Sequence, residues 1–244
     1  MAPDGIGDRL EGIHAVAAAV DAGRVTSLTV ESGVHRRPEI AAMCDLAVGG
    51  GATVSLVDDV RPLAATSAPQ GVIAGARPLP TVRIDDLVRV GSPSAVVVLD
   101  HLADGRNVGA IARSSLGAGV TAMVVAGRRA APLGPAAFKA AAGALESMSV
   151  AVVGSVANAL ERLRFHGLWL VGLDGGSETT VWECDLFDAP VALVVGSEGS
   201  GLSRLVTEKM DLTVRIPIEG VESLNASVAA SVALFELARR RSRG

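Results

Sequence analysis

Three loops of this 244-residue chain hold the residues best equipped for chemistry. In "HLADGRNVGAIARSSLGAGV", Asn107 and Gly109 precede a helical stretch that carries Arg113 in its second turn. "GSEGSGLS" sets glycines at 196, 199 and 201 around one carboxylate, Glu198. "IPIEGVESLNASVAASVALFELARRR" places Ser223 and Asn225 ahead of a long apolar helix. Amide, guanidinium, carboxylate and hydroxyl groups orient a substrate and handle a proton. Glycines let backbone N–H groups come close to a ligand. Simpler motifs are absent. The glycine spacing is not GxGxxG, GxxxxGK[ST] does not occur, and no GxSxG elbow offers a hydrolase serine. Cys44 and Cys184 stand alone, which suggests neither a disulfide framework nor a zinc site, and both read as reduced packing residues. His101 and His166 read as structural.

These loops need a scaffold that brings them together. Residues 12 to 77 alternate helical patterns ("GIHAVAAAVDAG", "PEIAAMCDLAVGGG") with short β-rich runs ("LTVES", "TVSLV", "GVIAGAR"), the pattern of a small α/β layer domain. "RPLPT" then favours an extended connection and marks the boundary. Beyond it, "AVVVLD", "AMVVAG", "LWLVGLD", "VALVVG" and "LTVRIP" are apolar strands separated by helical stretches, which predicts a largely parallel sheet covered on both faces. The three loops follow three of these strands. In open sheets of this kind ligands bind beyond the carboxyl ends of the strands. One glycine loop alone reads as a tight turn; three at strand ends of one sheet read as a binding site.

Composition sets further bounds. A hydrophobic content of 49% is ample for a core, and no apolar run approaches the roughly 18 residues that span a bilayer, so the expectation is a soluble, cytoplasmic protein. The net charge of −4 and scarcity of aromatic residues give no general sign of nucleic-acid binding. The positive charge is nearly all arginine and falls in clusters, at Arg36-Arg37, Arg128-Arg129 and Arg239-Arg240-Arg241, and guanidinium forks suit phosphate. Residues 1 to 80 nevertheless hold six arginines against nine acids.

The segments "NVGAIARSSLGAGV", "LVVGSEGSGLS" and "IPIEGVESLNASVAASVALFELARRR" resemble, in order, the three motifs of the SpoU (TrmH) family of AdoMet-dependent RNA ribose 2′-O-methyltransferases, within the SPOUT superfamily. The front part resembles the L30e-like RNA-binding domain, and the layout is similar to the 23S rRNA guanosine 2′-O-methyltransferase branch. The resemblance implies an L30e-like α/β domain over 1–78, a linker and first helix over 79–94, and a methyltransferase domain over 95–244. That second domain would be a parallel-sheet α/β fold with a C-terminal trefoil knot, an exception to the rule that chains avoid threading loops. It also implies a homodimer, an RNA substrate, AdoMet as cofactor, and no metal.

Carried over residue by residue, the resemblance assigns Asn107, Arg113, Glu198, Ser223 and Asn225 to the catalytic set, and Gly172, Gly196, Gly199, Ile216, Ile218 and Leu224 to AdoMet, held largely through backbone groups. The family's Asp-Pro is Asp104-Gly105 here, so a looser turn is expected before Asn107. Stripping a proton from an ordinary guanidinium at neutral pH costs roughly 8 kcal/mol. Arg113 is therefore expected to grip the phosphate beside the acceptor, with Asn107 and Ser223 fixing the ribose and Glu198 holding the arginine or taking the proton. The C-terminal helix, apolar nearly all round, is expected to bury residues 226 to 238, Ala230 and Ala233 among them, against the partner subunit. The readings left beside this one are a tRNA or resistance-conferring rRNA methyltransferase, and a non-catalytic RNA binder that would not need all of these side chains.

Overall fold

The structure, a computed structural model, describes residues 5–89, 95–128 and 130–242. The first layer comprises β1 (Arg9–Glu11), α1 (Ile13–Asp21), β2 (Val25–Glu31), α2 (Ser32–His35), α3 (Pro38–Gly49), β3 (Thr53–Val57) and β4 (Val72–Ala76). Its strands run in the order β1-β4-β2-β3, parallel between β2 and β3 and antiparallel elsewhere. The short β1 was not legible in the sequence. Part of the expected linker, residues 90–94, lies outside the described residues. Just past the expected boundary at 78, Leu79 exchanges two backbone hydrogen bonds with Ile6.

The second layer follows α4 (Ile84–Arg89) and comprises β5 (Ala95–Leu99), α5 (Gly105–Gly117), β6 (Ala122–Ala126), α6 (Pro135–Ala141), β7 (Ser149–Val153), α7 (Val156–Phe165), β8 (Trp169–Leu173), β9 (Val191–Val195), α8 (Arg204–Thr207), β10 (Leu212–Val214) and α9 (Ala226–Arg241). Its six strands are all parallel, in the order β10-β8-β9-β5-β6-β7. The five predicted strands are present, and β7 joins them at the edge. The chain leaves β5 toward β6 in one direction and later returns on the other side through β8 and β9, so the direction reverses between β5 and β9. A crevice opens at the carboxyl ends there, as the general rule for such sheets requires.

One apolar cluster runs from Ile6 and Leu10 in the first layer through Phe138 and Leu145 to Leu234 and Leu237. The layers are also joined by Arg24, whose guanidinium bonds both oxygens of Glu146 at 2.7 and 2.6 Å, donates to the carbonyls of Gly7 and Arg77, and lies 5.6 Å from the centroid of the Phe138 ring. Both side chains of this pair are 7% exposed. An ion pair this buried adds little net stability but fixes register, because either partner alone would be a stranded charge.

Helices α5 and α6 meet at Gly109. A β-carbon there would stand 2.1 Å from the carbonyl oxygen of Ala137 and 2.8 Å from the Ala140 methyl. Gly109→Ala is therefore expected to force the helices apart at a cost of about 1–3 kcal/mol. Thermal melting should fall by roughly 3–10 °C for a chain of this size.

Candidate active site

The turn before α5 is firmer than its Asp-Gly sequence suggests. Asp104 is the N-cap, and its carboxylate accepts from the Arg106 amide at 2.8 Å and from the Arg106 guanidinium. The side-chain bond to Arg106 holds the Asp104 carboxyl below its usual range. An Asp cap thus substitutes for the stiffness of a proline. It sets Asn107 in the first turn, where its amide donates to Oε1 of Glu198. Oε2 of Glu198 accepts from the Ala103 amide at 3.4 Å, so this exposed carboxylate ties the first loop to the glycine loop.

The glycine loop closes on itself. Ser197 and Gly201 exchange backbone hydrogen bonds of 2.9 Å, and a β-carbon on Gly196 would lie 2.1 Å from the carbonyl carbon of Gly201. Gly196 is thus required by the fold of the loop itself. At the third loop, Asn225 caps α9, accepting from the Ser227 amide at 2.9 Å and the Val228 amide at 3.4 Å. Its side chain therefore fixes the start of α9 directly after the SLN turn, in which Ser223 is exposed.

Two adjoining clefts lie under these loops. One, of about 410 Å³, is lined by Gly196, Glu198, Gly199, Ser223, Leu224 and Asn225, among others. The other, of about 150 Å³, is lined by Asp174, Arg215, Ile216, Ile218, Glu222 and further residues. Leu173, Ser223, Leu224 and Ala229 belong to both walls, so the two form one bent groove. Two residues singled out in the sequence stand elsewhere. Gly172 is buried within β8 and its bare α-carbon faces Leu202 and Met210; the groove wall at that strand end is Leu173 and Asp174. Arg113 lies in the third turn of α5, exposed, with no hydrogen bond or ion pair among the described residues, and lines neither cleft. At 100° per residue it points about 120° away from Asn107 around the helix.

Asp174, not singled out in the sequence, also lines the groove. The loop after "LWLVGLD" ends a strand like the three that were read, and that position was its signal. The C-terminal arginines are not free for phosphate. Arg239 bonds Glu236, Arg240 bonds Asp185 and Asp188, and Arg241 donates to the carbonyls of Phe187 and Ala189. They clamp α9 to its own chain, and the Asp188 bond raises the Arg240 guanidinium further above its ordinary range. Arg36, Arg37 and Arg128 remain exposed, and Arg129 lies outside the described residues. Both cysteines are buried, which pushes their thiols up and fits packing roles. Among the described residues no His, Cys, Asp and Glu group could hold a metal ion, and no helix is long and apolar enough to cross a membrane.

A parallel sheet whose glycine loop, capped helix and carboxylate–amide bridge meet over one groove can be compared with known proteins. Residues 94–235 match the SpoU rRNA Methylase family. An uncharacterized tRNA/rRNA methyltransferase of Synechocystis is 36% identical over 242 residues, covering 96% of this chain and 63% of that protein. The 23S rRNA (guanosine-2′-O-)-methyltransferase RlmB of Pseudomonas putida is 38% identical over 177 residues, 70% of this chain and 71% of that one. The crystal structure of the SpoU methyltransferase AviRb from Streptomyces viridochromogenes, in complex with AdoMet, superposes with a TM-score of 0.79 at 28% identity, covering 97% of this chain and 91% of the other. The chain belongs to the SpoU rRNA methylase family.

Proposed function

We propose that this protein transfers the methyl group of AdoMet to a ribose 2′-hydroxyl in RNA, with a guanosine of 23S rRNA as the substrate that RlmB relatives favour. The observation that carries the reading is the Asn107–Glu198 bridge at the rim of the groove lined by Gly196, Ser223 and Leu224. The groove suits AdoMet. Leu173, Ile216, Ile218, Leu224 and Ala229 offer an apolar wall, and Asp174, Glu198 and Glu222 supply negative charge toward a cationic ligand. AdoMet supplies an electrophilic methyl. The chain's own residues do the positioning: Asn107 and Ser223 hold the ribose, Glu198 receives the hydroxyl proton, Asn225 fixes the start of α9 after the SLN turn, and Arg113 binds the adjacent phosphate.

Arg113 points away from the face of α5 on which Asn107 reaches Glu198, which supports a homodimer in which each active site takes this arginine from the partner subunit. The uncovered stripe of α9 supports the same assembly. Val228 is 48% and Phe235 53% exposed, seven residues apart on one helix face. Ala230 and Ala233, expected at the interface, are fully buried within the chain. Membership of the SpoU family supports the trefoil knot over the C-terminal region, and the mixed four-stranded sheet supports the L30e-like reading of residues 1–78.

Two measurements test the proposal. Calorimetry with purified protein is expected to show AdoMet binding, and mass spectrometry of rRNA from a deletion strain is expected to lack one 2′-O-methyl nucleotide. No AdoMet binding at millimolar concentration, with or without RNA, would sink the enzymatic reading.

A further inference from the structure

The self-closed loop 196–201 is a partition, and a second and larger cleft lies on its other side. This cleft, of about 790 Å³, is lined by His101, Ser155, Ser197, Ser200, Ser203 and Arg204, with further residues between them. Ser197 and Gly201 belong both to its wall and to the wall of the groove that contains Glu198. The lining carries no free carboxylate. The lining carboxylate, Asp100, is 1% exposed and already engaged, accepting from the Ser203 amide at 2.8 Å and bonded to His101 Nδ1 at 2.7 Å. The polar groups that remain on show are hydroxyls, an imidazole and a guanidinium, beside an apolar stretch that includes Val156, Leu202 and the exposed Leu205, in a protein of net charge −4. Arg204 meets Glu208 at 3.4 Å, a surface pair too weak to keep it from a better anion. Arg128 follows Gly127, whose amide bonds the Val153 carbonyl next to the cleft residue Gly154; it is exposed and without a partner among the described residues.

His101 stands out within this wall. Its φ of 57° lies in the left-handed region, which costs a residue with a side chain roughly 1–2 kcal/mol and a glycine nothing. The imidazole is nonetheless there, oriented by a buried carboxylate, with Nδ1 committed to Asp100 and Nε2 left over. A strained backbone with a fixed side chain marks a group in use. We propose that this cleft is a second RNA subsite, which seats the nucleotide next to the acceptor. In it His101 Nε2 accepts from a ribose hydroxyl or base N–H, and Arg204 and Arg128 hold phosphates. Hydroxyls and guanidinium groups without exposed carboxylate suit a sugar–phosphate strand. Because the partition is shared, a strand whose acceptor ribose sits at Glu198 needs only to cross the glycine loop to enter.

The subsite rests on the methyltransferase reading above, and its test separates the two. The probe is a transcribed 23S rRNA fragment, assayed with His101→Gly, His101→Asn and Arg204→Ala. Glycine relieves the strained backbone and asparagine tolerates it, so at least one of the two variants folds, as melting will show. Both are expected to bind AdoMet as the wild type does, and to raise KM for RNA about tenfold, the worth of one hydrogen bond to a charged or well-oriented group. The kcat at saturating RNA is expected to stay within about threefold, less than that same bond is worth. Arg204→Ala is expected to reduce the salt dependence of RNA binding by about one counterion. An unchanged KM in a folded His101 variant, a fall in kcat alone, or a loss of AdoMet affinity would overturn the subsite. A wild-type protein that methylates no RNA would instead defeat the methyltransferase reading itself.

Discussion

Arg113→Ala is expected to lower kcat/KM by about three orders of magnitude, the usual cost of removing a preorganised charge from a transition state. Its AdoMet affinity should match wild type, because Arg113 lines neither part of the groove. Arg113→Lys should recover little, since a point charge cannot copy the planar fork on a phosphate. The position of the residue adds a sharper test. Asn107 reaches Glu198 from the first turn of α5, whereas Arg113 leaves the same helix about 120° further round. If the arginine works on the partner's site, mixing inactive Arg113→Ala with inactive Asn107→Ala restores activity. Random exchange makes half of the dimers mixed, each with one intact site of two, so about one quarter of wild-type activity returns. A mixture as dead as its parts would place the arginine in its own chain's site, and a fully active lysine variant would remove the bidentate role.

The motif loops were legible because glycine and polar residues at strand ends are local signals. Apolar runs such as "AVVVL" and "VALVV" announced β5 and β9, whose ends carry two of those loops. The edge strand β7 was less visible, since "SVAVV" follows the alanine-rich stretch of α6 and its turn with no proline or glycine directly before it. Pairings across long separations could not be read at all. Asn107 and Glu198 are 91 residues apart, and Arg24 and Glu146 are 122 apart. For the same reason composition misjudged the arginines. Arg240 has a fork that suits phosphate, yet it bonds Asp188, 52 residues away, while Arg36 and Arg128 keep no such partner among the described residues. Neither the left-handed backbone of His101 nor its place on a cleft wall has a sequence signature.

Helix α9 shows the same limit, and correcting it yields the second large effect. Hydropathy marks the helix as covered all round but cannot say by which chain. The structure divides the cover. Ala230, Ala233, Leu234 and Leu237 face inward, and Ser231 meets Ser114 of α5 at 2.7 Å. Val228 and Phe235 face outward, more than 45% exposed. Arginine at Ala230 or Ala233 would therefore disrupt the chain's own core before any interface. The informative change is Phe235→Glu, alone or with Val228→Glu. In a two-fold symmetric dimer each substitution counts twice. A carboxylate desolvated against an apolar surface costs about 2–3 kcal/mol at each copy, so the dimer should weaken by roughly a thousandfold or more. Sedimentation at micromolar concentration is expected to show a folded monomer with wild-type melting behaviour and almost no methyl transfer. If Phe235→Glu instead remains dimeric and active, or if the wild-type protein sediments as a fully active monomer, then the exposed stripe of α9 is not the interface and Arg113 must reach RNA from within its own chain.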